Sequence, residues 1–217
     1  MSATNQPRIE AYIGASGSGK GVSIDRRLRE LKAARLLIWD PRDEYARHAH
    51  RVTSLPELVA GVKRAGPGGH FRLRYVAGSA VGLADAFGLL CALAFEAGDL
   101  VLVAEELSDV TDASRAPPAW RRCITQGRHR ALHIIGAAQR PALIDKTFLG
   151  NCTYIRCFTL RYRDDRAAMA RALDVPEARV AEQATSSSGA GVVIRYVERD
   201  FRTALLRDGS ITLRARA

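Results

Sequence analysis

The apolar positions of the chain fall into short runs that alternate with segments of helical spacing. The runs at 9–13, 36–39, 100–104 and 132–138 are mostly apolar, which is typical of strands buried on both faces of a sheet. Each of them is followed by a segment in which apolar residues recur every three or four positions. This alternation predicts an α/β fold with a mostly parallel sheet that is flanked by helices.

The same reading predicts the remaining elements. Further strands are expected at 71–76, 153–160, 191–197, 201–206 and 211–213, and helices at 20–32, 55–64, 83–97, 117–130 and 164–173. The Ser-rich tract 185–189 is expected to be a short mobile loop. With 217 residues, the chain is expected to form one domain, 1–217. Its core motifs lie in 9–160, and its C-terminal helix and short extra strands lie in 161–217.

A glycine-rich segment lies between the first predicted strand and the first predicted helix. It has the G-x-x-x-x-G-K spacing of a phosphate-binding loop, in which backbone N–H groups, the helix N-terminus and the lysine all face phosphate oxygens. The fold class is therefore refined to a P-loop NTPase that binds ATP. The predicted binding residues are Gly14, Ala15, Ser16, Gly17, Ser18, Gly19, Lys20, Gly21 and Val22.

The residue after Lys20 departs from the usual motif. A Ser or Thr at this position supplies the hydroxyl that binds Mg²⁺, and here it is Gly21. The loop is thus complete for phosphate but lacks its usual metal ligand.

Polar residues follow two of the buried strands. Glu105 and Glu106 end the strand 100–104, and Gln139 ends the strand 132–138. Since ligands bind at the carboxyl edge of an open α/β sheet, all three are expected near the phosphates. Glu105 would hold Mg²⁺ through water, Glu106 would polarise the attacking water, and Gln139 would sense the γ-phosphate.

Positive charge is concentrated in one part of the sequence. The chain has a net charge of +10, and the segment 114–166 carries eleven basic and three acidic residues, a net charge of +8. Such a segment favours contact with the backbone of double-stranded DNA. One of its arginines could instead act in trans on a neighbouring subunit's γ-phosphate. The sequence leaves both uses open.

Other classes of protein receive less support. The four cysteines lack the spacing of a zinc site or a disulfide framework. No signal peptide and no apolar run long enough to span a bilayer is evident, so no membrane insertion is expected. The predicted location is the cytoplasm.

The order of these motifs resembles that of the HerA/FtsK superfamily of DNA-pumping ATPases, and most of all bacteriophage DNA-packaging ATPases. The resemblance covers roughly 9–160 and includes Asp40-Pro41-Arg42-Asp43-Glu44-Tyr45 after the second strand. It also includes Gln139-Arg140-Pro141. The related Zot-like assembly ATPases of filamentous phages share much of this pattern.

The resemblance implies catalysis by Glu105 and Glu106 and an inter-subunit arginine among Arg128, Arg130 and Arg140. It further implies a hexameric ring around DNA and a capsid or portal-vertex partner, and it suits a minimal viral packaging motor. For a viral protein, the expected location is the host cytoplasm or association with the virion. Gly21 departs from this pattern because it lacks the hydroxyl ligand. Mg²⁺ would then be held only by water and acidic side chains, or by Ser23 after a local shift. The alternatives are a Zot-like extrusion ATPase, a nucleotide kinase, or a nucleotide-binding protein without turnover.

Overall fold

The computed structural model describes residues 6–77, 82–188 and 191–214, and these residues form one continuous sheet with helices on both faces. The order of strands along the sheet is β10-β9-β7-β1-β6-β5-β2-β4-β3, with β8 paired to β9. The strands are β1 Arg8–Ile13, β2 Arg35–Trp39, β3 His50–Val52, β4 Phe71–Tyr75, β5 Leu100–Ala104, β6 Leu132–Ala138, β7 Tyr154–Cys157, β8 Thr185–Ser188, β9 Gly191–Asp200 and β10 Leu205–Arg214.

The helices lie in the segments that connect these strands. They are α1 Lys20–Leu31, α2 Leu55–Ala65, α3 Leu83–Ala97, α4 Pro118–Gln126, α5 Lys146–Asn151, α6 Arg163–Leu173 and α7 Glu177–Ala181. Short 3-10 turns lie at Leu107–Asp109, Gly127–Arg130 and Pro141–Leu143.

The strands from β7 to β3 are all parallel, whereas the C-terminal strands run against them. β9 pairs antiparallel with β7, and both β8 and β10 pair antiparallel with β9. A parallel sheet places all its carboxyl ends at one edge, so the loops after β1, β6, β5 and β2 meet there. The predicted fold class, a mostly parallel sheet flanked by helices, is confirmed.

Each face of the sheet has its own hydrophobic core because neighbouring residues of a strand point to opposite faces. Leu36 and Ile38 of β2 pack with α1, while Leu37 and Trp39 pack on the other face. That second face carries apolar residues of all the other helices, from α2 to α7. Among the described helices, only α1 contributes residues to the core on the first face, next to the phosphate loop.

Three parts of the element prediction are wrong. The segment 201–206 is not a strand, because its first four residues form the turn between β9 and β10, where Asp200 accepts the N–H of Arg202 (2.9 Å). The helix predicted to end at Arg130 ends at Gln126 and continues as a 3-10 turn. Thr185–Ser188, predicted as a mobile loop, pairs with β9, and Gly189 lies outside the described residues. The short elements β3, α5 and α7 were missed.

Candidate nucleotide-binding site

The candidate site lies at the carboxyl edge of the sheet, over four adjacent strands. β1, β6, β5 and β2 are neighbours in that order, and each is followed by a loop with residues that the sequence pattern singles out. The cavity between these loops measures about 400 Å³. It is lined by Ser16, Gly17, Gly19, Lys20, Gly21, Val22, Glu44, Glu105, Glu106, Gln139, Val192, Ile194 and Leu213.

The phosphate loop connects β1 to α1 in the conformation that an anion site requires. Gly19 is the N-cap of α1 with φ at +102°, and it gives the helix no side-chain cap. No acidic residue occupies the first turn. The first N–H groups of a helix have no partner within it, so those of α1 face the cavity at the positive end of the helix dipole. This arrangement is suited to phosphate oxygens.

Lys20 is buried at the start of α1, and its ammonium group is held at the loop. Its Nζ donates to the carbonyl oxygens of Gly14 (2.7 Å) and Ala15 (3.2 Å). Burial lowers its pKa, while the nearby carboxylates oppose that shift. Since an ammonium group carries three donors, one is left for a phosphate oxygen.

Two glycines of the loop are fixed by close packing. A Cβ at Gly14 would lie 2.4 Å from Ser18 Oγ, and a Cβ at Gly19 would lie 2.9 Å from the Ile194 side chain. Ile194 belongs to β9, so the C-terminal strands pack directly on the phosphate loop. Ile194 forms an apolar wall of the cavity together with Val192 and Leu213.

Glu105 lies directly after β5 and is buried. The Tyr45 hydroxyl donates a hydrogen bond to its Oε1. Burial raises the pKa of Glu105 to about 7, a shift that Glu106 and Glu44 reinforce and that Tyr45 and Lys20 oppose. The carboxyl group therefore changes its protonation state near neutral pH.

Glu106 follows it in a left-handed backbone conformation, with φ at +49°. Such a conformation is costly for a residue with a side chain and is often found at functional sites. The Gln139 Nε2 group donates a hydrogen bond to Glu106 Oε1. The two residues predicted to handle the attacking water and the γ-phosphate thus contact each other in the lining of the cavity.

A turn after β2 brings Glu44 and Tyr45 into the site. The buried Asp40 carboxylate accepts the N–H groups of Glu44 (2.9 Å) and Tyr45 (3.1 Å). Arg74 donates to the same carboxylate at 3.0 Å. This turn points Tyr45 inward to Glu105 and leaves Glu44 exposed on the cavity wall.

The donor set fits Mg²⁺ bound together with a nucleotide. Carboxylates are the oxygen ligands that Mg²⁺ prefers, and Glu44, Glu105 and Glu106 all line the cavity. In the part of the chain that the structure describes, no group of three or more His, Cys, Asp or Glu side chains could hold a metal by itself. A cation here would therefore need the phosphates as further ligands.

The structure does not bring Ser23, the alternative Mg²⁺ ligand, to the cavity. Ser23 is buried on α1 and its Oγ accepts a hydrogen bond from Arg156 Nη1 (3.2 Å). It is absent from the cavity lining. Ser23 lies almost one helical turn further along α1 than Lys20, where its hydroxyl meets Arg156 of β7.

The three candidate arginines lie in different surroundings. Arg140 follows Gln139, but its Nε pairs with the fully buried Asp165 (2.7 Å) and its guanidinium stacks on Tyr162. Arg130 donates to the carbonyl oxygens of Phe95 and Glu96 at the end of α3. Arg128 is exposed and lies before β6, at the sheet edge opposite the cavity. The structure does not bring Arg128 to the nucleotide site of its own chain.

The basic segment 114–166 is only partly a free surface. Arg156 pairs with Glu198 (2.6 Å) and stacks on Tyr196, and Arg166 donates to the carbonyl oxygen of Arg161 (2.9 Å). Together with Arg130 and Arg140, these side chains hold the fold together. The exposed basic residues of the segment are Arg115, Arg121, Arg122, Arg128, Arg130, Lys146, Arg161 and Arg163.

Sequence reasoning missed two sets of site residues. Glu44 and Tyr45 were noted only as part of a motif, although a charged and a hydroxyl residue after a buried strand could have placed them at this edge. Val192, Ile194 and Leu213 gave no signal, because apolar residues in strands predict a core.

The fold and the site together define a P-loop NTPase. The genome-packaging NTPase B204 of Sulfolobus turreted icosahedral virus 2, solved with AMPPCP, superposes with a TM-score of 0.71 at 17% identity and covers 93% of this chain and 96% of its own. Its complex with sulfate gives 0.73 at 16% identity, covering 96% and 98%. The N-terminal domain of zonular occludens toxin from Neisseria meningitidis gives 0.53 at 14% identity, covering 96% and 95%. These likenesses show a shared fold.

The chain belongs to the family of Protein P9 of Pseudoalteromonas phage PM2. The two sequences are 30% identical over 163 residues, which is 75% of this chain and 73% of Protein P9. No family model matches the chain. The resemblance to phage packaging ATPases that the motifs indicated is thus confirmed at the level of class and fold.

The structure bears on membrane association in one respect. Within residues 6–77, 82–188 and 191–214, no helix is both long and apolar enough to span a membrane.

Proposed function

We propose that this protein hydrolyses ATP to move double-stranded DNA, as a viral genome-packaging motor that works as a homo-oligomeric ring, a hexamer, docked on a capsid or portal-vertex protein. One observation carries the proposal: Lys20, Glu106 and Gln139 come from three separate loops and meet in one cavity over an uncapped helix N-terminus. The shared fold with a genome-packaging NTPase supports the biological setting.

In this mechanism the chain's own residues bind, orient and accept a proton. The N–H groups of the loop and of α1 bind the β- and γ-phosphates, and Lys20 neutralises charge that develops between them. Glu106 accepts a proton from the attacking water, and Gln139 fixes its carboxylate by a hydrogen bond. Mg²⁺, when bound with the nucleotide by Glu105 through water, would stabilise charge on the phosphate oxygens.

A ring would let a neighbouring subunit supply the arginine that is missing from the described lining of the cavity. Arg140 and Arg130 are held by Asp165 and by the carbonyl oxygens at the end of α3. Arg128 has no carboxylate partner among the described residues and is exposed. Arg128 is therefore the best candidate to reach the γ-phosphate of a neighbouring subunit.

A mixing experiment tests the action in trans. Lys20→Ala subunits lack a working site but keep Arg128, and Arg128→Ala subunits have the opposite defect. Each alone should release no phosphate, whereas a mixture should recover a fraction of wild-type turnover at shared interfaces. A mixture as inactive as its components would contradict the role of Arg128 in trans.

The primary test is phosphate release from ATP and Mg²⁺ with and without duplex DNA. DNA should stimulate release by the wild type, and the stimulation should vanish in Glu106→Gln but not in Glu182→Gln, a matched change outside the cavity. Phosphoryl transfer to a nucleoside monophosphate would instead indicate a kinase, and binding without release a scaffold. The Zot-like alternative has weaker structural support, with a TM-score of 0.53.

DNA contact by the exposed arginines has its own test. Arg161 and Arg163 are exposed and form no ion pair within the described residues. The change Arg161→Gln/Arg163→Gln should flatten the logarithmic salt dependence of DNA binding by about two units of slope. Arg64→Gln/Arg72→Gln, the same charge change on α2 and β4, should leave the slope unchanged.

A further inference from the structure

The residue after the phosphate-loop lysine leaves an opening in the cavity. Gly21 has no side chain, and it lines the cavity at the second position of α1. Apart from the neighbouring residues and backbone of α1, the one described heavy atom within 4 Å of the point where a Cβ would stand is Glu44 Oε2, at 4.0 Å. A carboxylate oxygen thus lies just beyond the space that a serine or threonine hydroxyl would occupy.

The fold holds Glu44 in this place. Its backbone N–H is bound by the buried Asp40 carboxylate, and the next residue, Tyr45, is anchored in the core through the same carboxylate. The Glu44 side chain itself makes no hydrogen bond or ion pair with another residue that the structure describes. Its oxygens are therefore available to a ligand in the cavity.

The cavity has an excess of negative groups, so a bound nucleotide would need a cation to balance its charge. Three carboxyl groups and a single ammonium group line it, and ATP would bring further negative charge. Mg²⁺ is usually bound by one or two carboxylates, the phosphates and water. The described residues hold no metal cluster that is complete by itself. A cation at this site would therefore take the phosphates as ligands together with a carboxylate next to them.

We propose that Glu44 replaces the missing hydroxyl as the direct protein ligand of the Mg²⁺ that accompanies the nucleotide, and that Gly21 provides the space for this ligand. The inference rests on the proposed function, in that a nucleoside triphosphate must bind at this loop. In this arrangement Glu44 compensates for the hydroxyl that Gly21 lacks, and Glu105 makes no direct contact with the cation.

The test measures ATP affinity by calorimetry with Mg²⁺ and with EDTA, so that it does not depend on turnover. For the wild type, Mg²⁺ should tighten binding at least about tenfold. Glu44→Gln should lose most of this gain while its affinity in EDTA is unchanged or higher, which also shows that the variant is folded. Glu182→Gln, an exposed glutamate that does not line the cavity, should behave as the wild type.

Gly21→Ser supplies the rescue. Added to Glu44→Gln, it should restore most of the gain from Mg²⁺, because it returns the usual hydroxyl ligand. A full Mg²⁺ effect in Glu44→Gln would overturn the assignment to Glu44. The same conclusion would follow if Glu105→Gln lost the Mg²⁺ effect while Glu44→Gln kept it. If the wild type binds ATP under neither condition, the proposed function fails and this inference fails with it.

Discussion

Glu10 on β1 and Glu105 at the end of β5 are both buried glutamates of one sheet, but their surroundings differ. Glu10 accepts hydrogen bonds from Arg27 (2.6 Å) and from Tyr12 (2.9 Å), and it pairs with His133 (2.7 Å). Burial would raise its pKa, but the bonds from His133 and Arg27 outweigh that effect and lower the pKa to about 2. Glu105 has Tyr45 as its hydrogen-bond donor, and burial raises its pKa to about 7.

The difference separates a structural charge from a functional one. The protein itself supplies the partners of Glu10, so the cluster needs nothing further. The described lining of the cavity around Glu105 instead contains two more carboxyl groups and one lysine, so its negative charge is balanced only when a cation binds with the nucleotide. Both clusters are buried and polar, and only the second is expected to respond to nucleotide. The following changes test this contrast.

Lys20→Ala should have the largest effect, because Lys20 carries the one ammonium group among the described residues that line the cavity. Nucleotide affinity and turnover should each fall by about 100-fold or more, since the three carboxyl groups would then face the phosphates without compensation. Calorimetry with ATP and a phosphate-release assay measure the two losses. Undiminished turnover would show that the loop is not the catalytic phosphate site.

Glu106→Gln should separate binding from chemistry. The amide keeps the size of the side chain but cannot accept a proton from water, so hydrolysis should fall by about 100-fold or more while ATP still binds. Phosphate release and ATP affinity, measured on the same preparation, check the split. Normal turnover in this variant would mean that Glu105 or another group is the base.

The central part of this site could be predicted because its signals are local. The glycine spacing up to Lys20 and the polar residues that end β5 and β6 each follow from a few neighbouring positions. Parallel topology then brings strand ends to one edge. The structure places Lys20, Glu105, Glu106 and Gln139 in one cavity, and their catalytic roles stay predictions.

The rest depends on contacts between distant segments. Tyr45 meets Glu105 across 60 residues of sequence, and Ile194 reaches Gly19 from a C-terminal strand. Neither contact leaves a periodic signal. The same holds for Arg140, whose pairing with Asp165 depends on how α6 packs against the turn Pro141–Leu143. Sequence patterns predict the type and order of most elements but not the partners of their side chains.

Glu10→Gln should test the structural cluster. The free energy of unfolding should fall by about 3 kcal/mol, because Arg27 and His133 lose their buried counter-charge. The contribution of Glu10 is present above its unfolded pKa of 4.5 and is lost as the pH falls toward 2, so wild type and variant should converge there. Denaturant unfolding at several pH values measures this.

ATP affinity provides the control for that change. Glu10 does not line the nucleotide cavity, so the folded variant should bind ATP as the wild type does. A variant that is fully stable but cannot bind nucleotide would reverse the assignment of structural and functional glutamates.

Removing one hydroxyl beside each glutamate should give the smallest effects and the most direct comparison. In Tyr45→Phe, Glu105 loses a hydrogen bond that favours its charged form, so its pKa should rise from about 7 by about one unit. In Tyr12→Phe, the pKa of Glu10 should move much less, because Arg27 and His133 remain. Carboxyl carbon NMR of nucleotide-free and metal-free protein resolves both titrations. Equal shifts would mean that the two glutamates are stabilised alike, and the contrast between the two clusters would fail.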